Sequence, residues 1–341
     1  MKVTTIGGGT GTTSVLKGLR DYPDLSLSVI VSMTDDGGSN ATVRDEFGLL
    51  PLSDLRKSII ALSTRNTDEI LRDLFMYRFS QGNGLSGHTL GNLIMIALSD
   101  IAGSELEAIK ACEKLFDTKG HIIPVTLDKV RLVAEYSDGS KLIGEHLIDE
   151  SGKKKRIIKL SVSDVAQANP DAVKAIMESD FVVIGPGDLY TSLIANLIIP
   201  GVKEALMTTK AKIIYIANLM SKIGETKGFS LSDLVIEIQS YIGRDLDYVL
   251  ANNSEIPSTI LQKYKDDGET PFQDDLSQDK FPGLNIVRSD LISRLGIKAV
   301  KGDSLKRSIL RHSSKKLGEE LYSIFNRNHF TWFSWLVKDI T

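Results

Sequence analysis

Lys2-Val3-Thr4-Thr5-Ile6-Gly7-Gly8-Gly9-Thr10-Gly11 is a short β-rich run that breaks into glycines, and Ser14, Val15, Leu16 and Leu19 follow at helical spacing. The stretch reads as strand, loop and helix, with the helix expected to start near Thr12. Gly8, Gly9, Thr10 and Gly11 bring little bulk to the place where a phosphate would approach. The free N–H groups and positive dipole end of the helix favour an anion there. The dinucleotide pattern G-x-G-x-x-G is met in part, because Gly9 and Gly11 are followed by Ser14 where the third glycine belongs. No Lys stands at the P-loop position, which argues against an ATPase. A tight strand-to-helix turn with no ligand is the bland alternative.

Three more apolar runs end the same way: Val31-Ser32-Met33-Thr34-Asp35-Asp36-Gly37-Gly38-Ser39, Ile184-Gly185-Pro186-Gly187-Asp188 and Ala217-Asn218-Leu219-Met220-Ser221. If these runs are parallel strands of one sheet, all four loops open on its carboxyl edge, where open α/β folds bind ligands. The expectation is therefore a Rossmann-like, doubly wound, mostly parallel α/β sheet that binds a phosphorylated ligand, a nucleotide by preference.

Between Ile122 and Val162 the pattern turns to short alternating segments, with Asp138-Gly139 as a tight turn between Arg131 to Tyr136 and Lys141 to Ile148. This predicts a first Rossmann-like half over 1–120, a β-rich insertion over 121–165, a second half over 166–255 and a C-terminal segment over 256–341. Lys263 to Lys280 is a loop or lid by composition, and Leu284 to Ile286 reads as a last strand. Phe330, Trp332, Phe333 and Trp335 crowd both tryptophans into one segment. Docking on the core is the preferred reading of that tail over a partner surface.

The chain has 341 residues, 42% of them hydrophobic and 25% charged, enough for a large core. Its formal net charge of -3 gives no reason to expect a nucleic-acid or anionic-membrane partner. Lys153-Lys154-Lys155-Arg156 is the one dense basic run, and a solvated turn accounts for it. The single cysteine, Cys112, excludes an internal disulfide, and no cluster has structural-zinc spacing. No apolar stretch approaches the roughly 18 residues of a membrane span, so the cytosol is the expected compartment.

Asp35 lies where a Rossmann acid reaches a ribose hydroxyl. Asp36 beside it, with Asp54 further on, forms a candidate Mg²⁺ pair, since Mg²⁺ takes one or two carboxylates plus phosphate oxygens and water. Arg56 is a candidate phosphate clamp, and a helix N-terminal charge is the plain alternative for Asp54. His88, in Gly87-His88-Thr89-Leu90-Gly91-Asn92, is a ligand candidate against the commoner structural histidine. Gly185, Gly187, Asp188, Tyr190 and Thr191 repeat the logic of the first loop, with backbone donors followed by hydroxyls at a helix start. Neither a Ser-His-Asp elbow nor H-E-x-x-H occurs, which argues against a hydrolase or zinc protease.

Gly7-Gly8-Gly9-Thr10-Gly11, Asp35-Asp36-Gly37-Gly38-Ser39, Phe47-Gly48-Leu49-Leu50-Pro51, Leu85 to Leu93, Gly185 to Ser192, and Asn218-Leu219-Met220 with Gly224-Glu225-Thr226 together resemble the gluconeogenesis factor (YvcK) family. That family is the bacterial branch of the superfamily containing 2-phospho-L-lactate transferase (CofD-like). The resemblance runs in order from Met1 to about Leu317. It implies a cytoplasmic protein that binds a nucleotide sugar of the UDP-N-acetylglucosamine type and serves cell shape and envelope precursor supply during gluconeogenic growth. It adds Gly37, Gly38, Ser39, Asn92, Asn218 and Met220 to the ligand candidates. It also points to Tyr264 in Leu261-Gln262-Lys263-Tyr264 and to Arg311 in Arg311-His312-Ser313-Ser314-Lys315-Lys316-Leu317, an aromatic ring and a guanidinium suited to base or sugar and diphosphate. Asn40-Ala41-Thr42-Val43-Arg44 departs from the family's Ser-Gly-Arg-Leu-Arg, and Ser313 replaces the Asp of its R-H-D pattern.

Two functions follow. The first is a nucleotide-sugar-binding regulator of an unidentified protein partner, with a homo-oligomer left open. The second is a transferase moving a phospholactyl group from a guanosine diphosphate donor to a deazaflavin precursor, with Asp36 and Asp54 as catalytic, Mg²⁺-holding residues. An NAD-dependent oxidoreductase is disfavoured by the missing third glycine.

Overall fold

Runs such as Val29-Ile30-Val31, Val182-Val183-Ile184 and Ile213 to Ile216 are buried along their whole length, as strands covered on both faces must be. The computed structural model of the chain describes residues 1–64, 69–151, 155–293 and 310–336. Its strands are β1 (Lys2–Gly7), β2 (Ser26–Val31), β3 (Gly120–Pro124), β4 (Leu132–Tyr136), β5 (Lys141–Ile143), β6 (Ile157–Val162), β7 (Phe181–Ile184), β8 (Lys212–Ile216), β9 (Tyr248–Asn252) and β10 (Asn285–Ser289). Seven of them form one sheet in the order β10-β9-β8-β7-β1-β2-β3, and every pair in it is parallel. The chain winds outward from β1 through β2 to β3, returns to β7 beside β1, and winds outward again through β8 and β9 to β10. This is the doubly wound order, and its direction reverses between β1 and β7.

The helices are α1 (Gly9–Leu19), α2 (Ser39–Phe47), α3 (Ser53–Leu62), α4 (Glu69–Met76), α5 (Leu90–Ala102), α6 (Glu105–Leu115), α7 (Glu145–Glu150), α8 (Pro170–Glu178), the short α9 (Ala195–Leu197), α10 (Val202–Thr208), α11 (Leu231–Ile242), α12 (Ser258–Asp266) and α13 (Ser314–Leu336). A π-helical turn, Leu189–Ile194, precedes α9. No helix among the described residues is long and apolar enough to cross a membrane. Cys112 is buried, and burial pushes its thiol up to about 12.

The structure corrects several sequence expectations. Helix α1 starts at Gly9, not near Thr12, because the glycines themselves take up its first turn. The region expected to be one β-rich unit over 121–165 is divided. Its first run, β3, joins the main sheet beside β2, and β5-β4-β6 form a separate antiparallel sheet. Gly144, at φ 110°, ends β5, so Glu145 to Ile148 turn into α7 instead of extending the strand.

Lys263 to Lys280 is a loop from Asp267 onward, as its composition suggests, but it is tied down. Its start lies in α12, and later residues bridge Met220 to Pro271 and Ser230 to Gln273. In the basic run, Lys153 and Lys154 lie outside the described residues. Arg156 pairs with Glu237 at 3.2 Å and stands over the Phe229 ring. Phe330, Trp332, Phe333 and Trp335 fall in the last turns of α13, and their side chains lie outside the described residues.

Candidate functional site at the switch point

Because β1, β2, β7 and β8 run parallel, the four loops that follow them leave the same edge of the sheet. Those after β1 and β7 flank the reversal point and touch. A Cβ on Gly11 would lie 2.2 Å from the Pro186 carbonyl oxygen, so only glycine lets the first turn of α1 sit against the second loop. The Asn218 amide, from the loop after β8, donates to the Gly187 carbonyl at 2.7 Å. Thus three of the four loops are locked to one another.

The N-terminus of α1 already faces a carboxylate. Gly9 N–H donates to Asp54 Oδ2 at 3.0 Å, while Lys57 holds Asp54 Oδ1 at 3.0 Å. A Cβ on Gly8 would collide with the same carboxylate. The next two N–H groups of the turn, those of Thr10 and Gly11, have no acceptor among the described residues. They are the donors left for an incoming anion.

Asp35 accepts from Gly37 N–H at 2.9 Å and from the Asn40 amide at 2.6 Å, shaping its own turn. Burial and then the neighbouring Asp54 hold its carboxyl above the ordinary range. Asp36 turns toward the antiparallel sheet, accepting His146 N–H at 3.0 Å and lying 3.6 Å from Arg131. Each carboxylate oxygen of Asp36 and Asp54 therefore has a cationic or N–H partner. To hold Mg²⁺ between them, each must exchange one.

Arg56 is only 2% exposed. Its Nε donates to Asn92 Oδ1 at 3.1 Å, and the Asn92 amide continues to Ser39 Oγ at 3.2 Å. Burial brings the guanidinium down to about 10. The three residues form a strut beneath the Gly37-Gly38 turn. His88 is half-buried on the loop before α5, and its Nδ1 has no partner among the described residues.

On the second half, Asp188 accepts from Lys222 Nζ at 2.6 Å, and Lys222 also contacts Glu225 at 2.9 Å and Asp149 of α7. Burial opposes the Lys222 charge, but Glu225 and Asp188 outweigh it and hold the ammonium well above its ordinary range. Glu225 in turn receives Tyr190 N–H at 3.0 Å and the Thr191 hydroxyl at 3.2 Å. The oxygens of Asp149, Asp188 and Glu225 lie within 4.8 Å of one another, a metal-like spacing, but the Lys222 ammonium touches all three. Tyr190 is buried and its hydroxyl donates to Glu237 at 2.9 Å.

Tyr264 and Met220 form a second neighbourhood. Tyr264 is 9% exposed in an apolar cluster with Ile292 and Leu310, and its hydroxyl accepts Leu310 N–H at 3.0 Å. Arg311 is half-buried, close enough to Lys17 of α1 to lower it together with burial and Arg20. His312 is held near the end of β8 by a hydrogen bond with the Ala217 main chain, and burial brings its imidazole down to about 4.

Three residues of the site carried no flag in the sequence reading: Lys222, Glu225 and Glu145. Glu225 had a signal, since Gly224-Glu225-Thr226 is one of the ordered motifs. Lys222 and Glu145 had none, since Asp149 and Asp188 reach Lys222 from distant segments and the charges around Glu145 are as remote in the chain. Glu145 lies within electrostatic reach of Asp35, Lys222, Asp188 and Asp54, and burial followed by Asp35 pushes its carboxyl up to about 9.

Fold and loops together define a Rossmann-like α/β protein whose two halves meet at the topological switch point, the place where open α/β folds bind ligands. Residues 3–292 match the family described as 2-phospho-L-lactate transferase CofD, and the chain belongs to that family, in its gluconeogenesis factor branch. A Thermotoga maritima relative is 38% identical over 324 residues, covering 95% of this chain and 99% of its own length. The Bacillus subtilis gluconeogenesis factor is 33% identical over 324 residues, covering 95% and 98% respectively. The crystal structure of a UPF0052 family protein from Bacillus halodurans superposes with a TM-score of 0.85 at 32% identity, covering 94% of this chain and 98% of that one.

Proposed function

We propose that this protein is a cytoplasmic regulator that binds a nucleotide sugar of the UDP-N-acetylglucosamine type in the switch-point crevice. Through a partner protein it serves envelope precursor supply and cell shape during gluconeogenic growth. The observation that carries the binding is the contact between the two glycine loops at Gly11 and Pro186, beside the free N–H groups of Thr10 and Gly11. A diphosphate fits such a paired cradle because backbone donors from two directions share its charge. The gluconeogenesis factor names of its relatives support the physiological half of the reading.

Binding without turnover is the test. UDP-N-acetylglucosamine at 100 times its dissociation constant adds about 2.7 kcal/mol to stability, a clear rise in melting temperature. No shift at millimolar ligand, with or without Mg²⁺, defeats the proposal.

The acidic wall of Asp35, Asp54 and Glu145 favours a second reading, transfer of a phospholactyl group from a guanosine diphosphate donor to a deazaflavin precursor. Asp36 and Asp54 are the residues to hold Mg²⁺, which supplies charge neutralisation on the phosphoryl oxygens. Release of guanosine monophosphate that requires both Mg²⁺ and Asp54 supports this reading, and its absence removes it.

A further inference from the structure

Both carboxylates of the expected Mg²⁺ pair already face a cation of the chain. Asp54 Oδ1 is 3.0 Å from Lys57 Nζ, and Asp36 Oδ2 is 3.6 Å from the Arg131 guanidinium. The other two oxygens accept main-chain N–H groups, those of Gly9 and His146, at 3.0 Å each. Mg²⁺ enters this set only by displacing the resident cations, because like charges at such distances repel.

Of the two cations, Lys57 is the one at the glycine loops. Asp54 and Lys57 are an i,i+3 pair at the start of α3, so carboxylate and ammonium come from one helical turn. The carboxylate sits where the two halves meet. A Cβ on Gly8 would lie 2.4 Å from Asp54 Oδ2 and 3.9 Å from the Cβ of Ser192, in the π-helical turn after β7. Lys57 Nζ is thus one carboxylate away from the first turn of α1, where the N–H groups of Thr10 and Gly11 have no acceptor among the described residues. The Lys57 side chain is 28% exposed, and no second acceptor meets its ammonium among the described residues, which leaves two of its three N–H donors open. The first glycine loop lacks the lysine with which a P-loop reaches its phosphates. Here a neighbouring helix brings one to the same loop.

We infer that Lys57 is the cation that meets the ligand's diphosphate, supplied by α3 to the first glycine loop, and that the nucleotide is bound without a divalent metal. The inference rests on the nucleotide-binding reading above. With no ligand present, Asp54 is the counter-ion that holds the ammonium at the loop, and the Gly9 N–H fixes Asp54 in turn. A diphosphate brings more negative charge than one carboxylate and takes the open N–H groups in charge-assisted hydrogen bonds.

The test is calorimetric titration of the full chain with UDP-N-acetylglucosamine and with GDP, each once with millimolar Mg²⁺ and once with EDTA. Wild-type affinity for the nucleotide it binds is expected to differ by less than about fivefold between the two conditions. Lys57→Gln keeps a side-chain donor for Asp54 but carries no charge, and in EDTA it is expected to bind at least about fivefold more weakly than wild type. A larger wild-type loss in EDTA overturns the inference and favours the metal-dependent transferase reading. A smaller loss in Lys57→Gln shows that the lysine only braces Asp54, and overturns the inference while the nucleotide reading stands. If the wild type binds neither nucleotide in either condition, both fall. Should Lys57→Gln fail to fold, the same titration of Lys57→Met takes its place, and should that variant fail as well, the wild-type comparison decides.

Discussion

The main-chain N–H of Gly9 donates to the carboxylate of Asp54 at 3.0 Å, so the helix end expected to attract a ligand's phosphate holds an internal anion as well. Asp54 sits in the first turn of α3 and Gly9 in that of α1, which fixes the two helices to each other at the crevice. Asp54→Ala removes this bond and the Lys57 pair together. It is expected to cost about 1–2 kcal/mol in urea denaturation, with Asp54→Asn losing less.

Gly11→Ala tests the junction of the two halves. Its Cβ meets backbone at 2.2 Å, and backbone cannot rotate aside. The expected loss is about 1–3 kcal/mol of stability, with the ligand-induced melting shift abolished. Thr10→Ala, at an exposed neighbouring position, serves as the control and changes the melting temperature little.

Lys222→Met leaves Asp149, Asp188 and Glu225 without their shared cation, and Glu225 is buried. Removing one partner of a buried pair costs about 3–5 kcal/mol. The loss is read as a lower midpoint than wild type in urea denaturation.

His312 gives the protein an acid limb of its own. Its folded value of about 4 lies below the ordinary 6.5, so below 6.5 the unfolded chain binds the proton more readily. The associated stability is complete above about pH 6.5 and is lost as pH falls to about 4, amounting to at most about 3 kcal/mol. In His312→Gln the melting temperature should decline less steeply between pH 6.5 and 4.

Tyr264→Phe deletes the acceptor for the buried Leu310 N–H. A cost of about 1–2 kcal/mol in chemical denaturation is expected, and unchanged nucleotide affinity would show that the hydroxyl serves the fold and not the ligand.

Local pattern made the strands legible, because a strand buried on both faces must be apolar throughout and its loop must bend sharply at glycine. The glycine loops, the two Rossmann-like halves and the last strand all follow from residues adjacent in the chain. Two local features were misread for the same reason. Gly9 to Gly11 form the first turn of a helix, and Glu145 to Ile148 form one in place of a strand, because packing against Pro186 and anchoring on Asp36 outweigh weak intrinsic preference.

The sequence by itself determined that four turns rich in glycine or polar residues would leave one edge of a parallel sheet, since strand direction and turn chemistry are written in neighbouring residues. Only the tertiary structure decided what fills that edge. Arg56 became a buried strut on Asn92, Lys222 a cation shared by three acids, and Glu145 an acid within electrostatic reach of Asp35, Lys222, Asp188 and Asp54. Each of these depends on a buried charge set among groups that come mainly from distant segments, and burial and charge at such range leave no mark in local sequence.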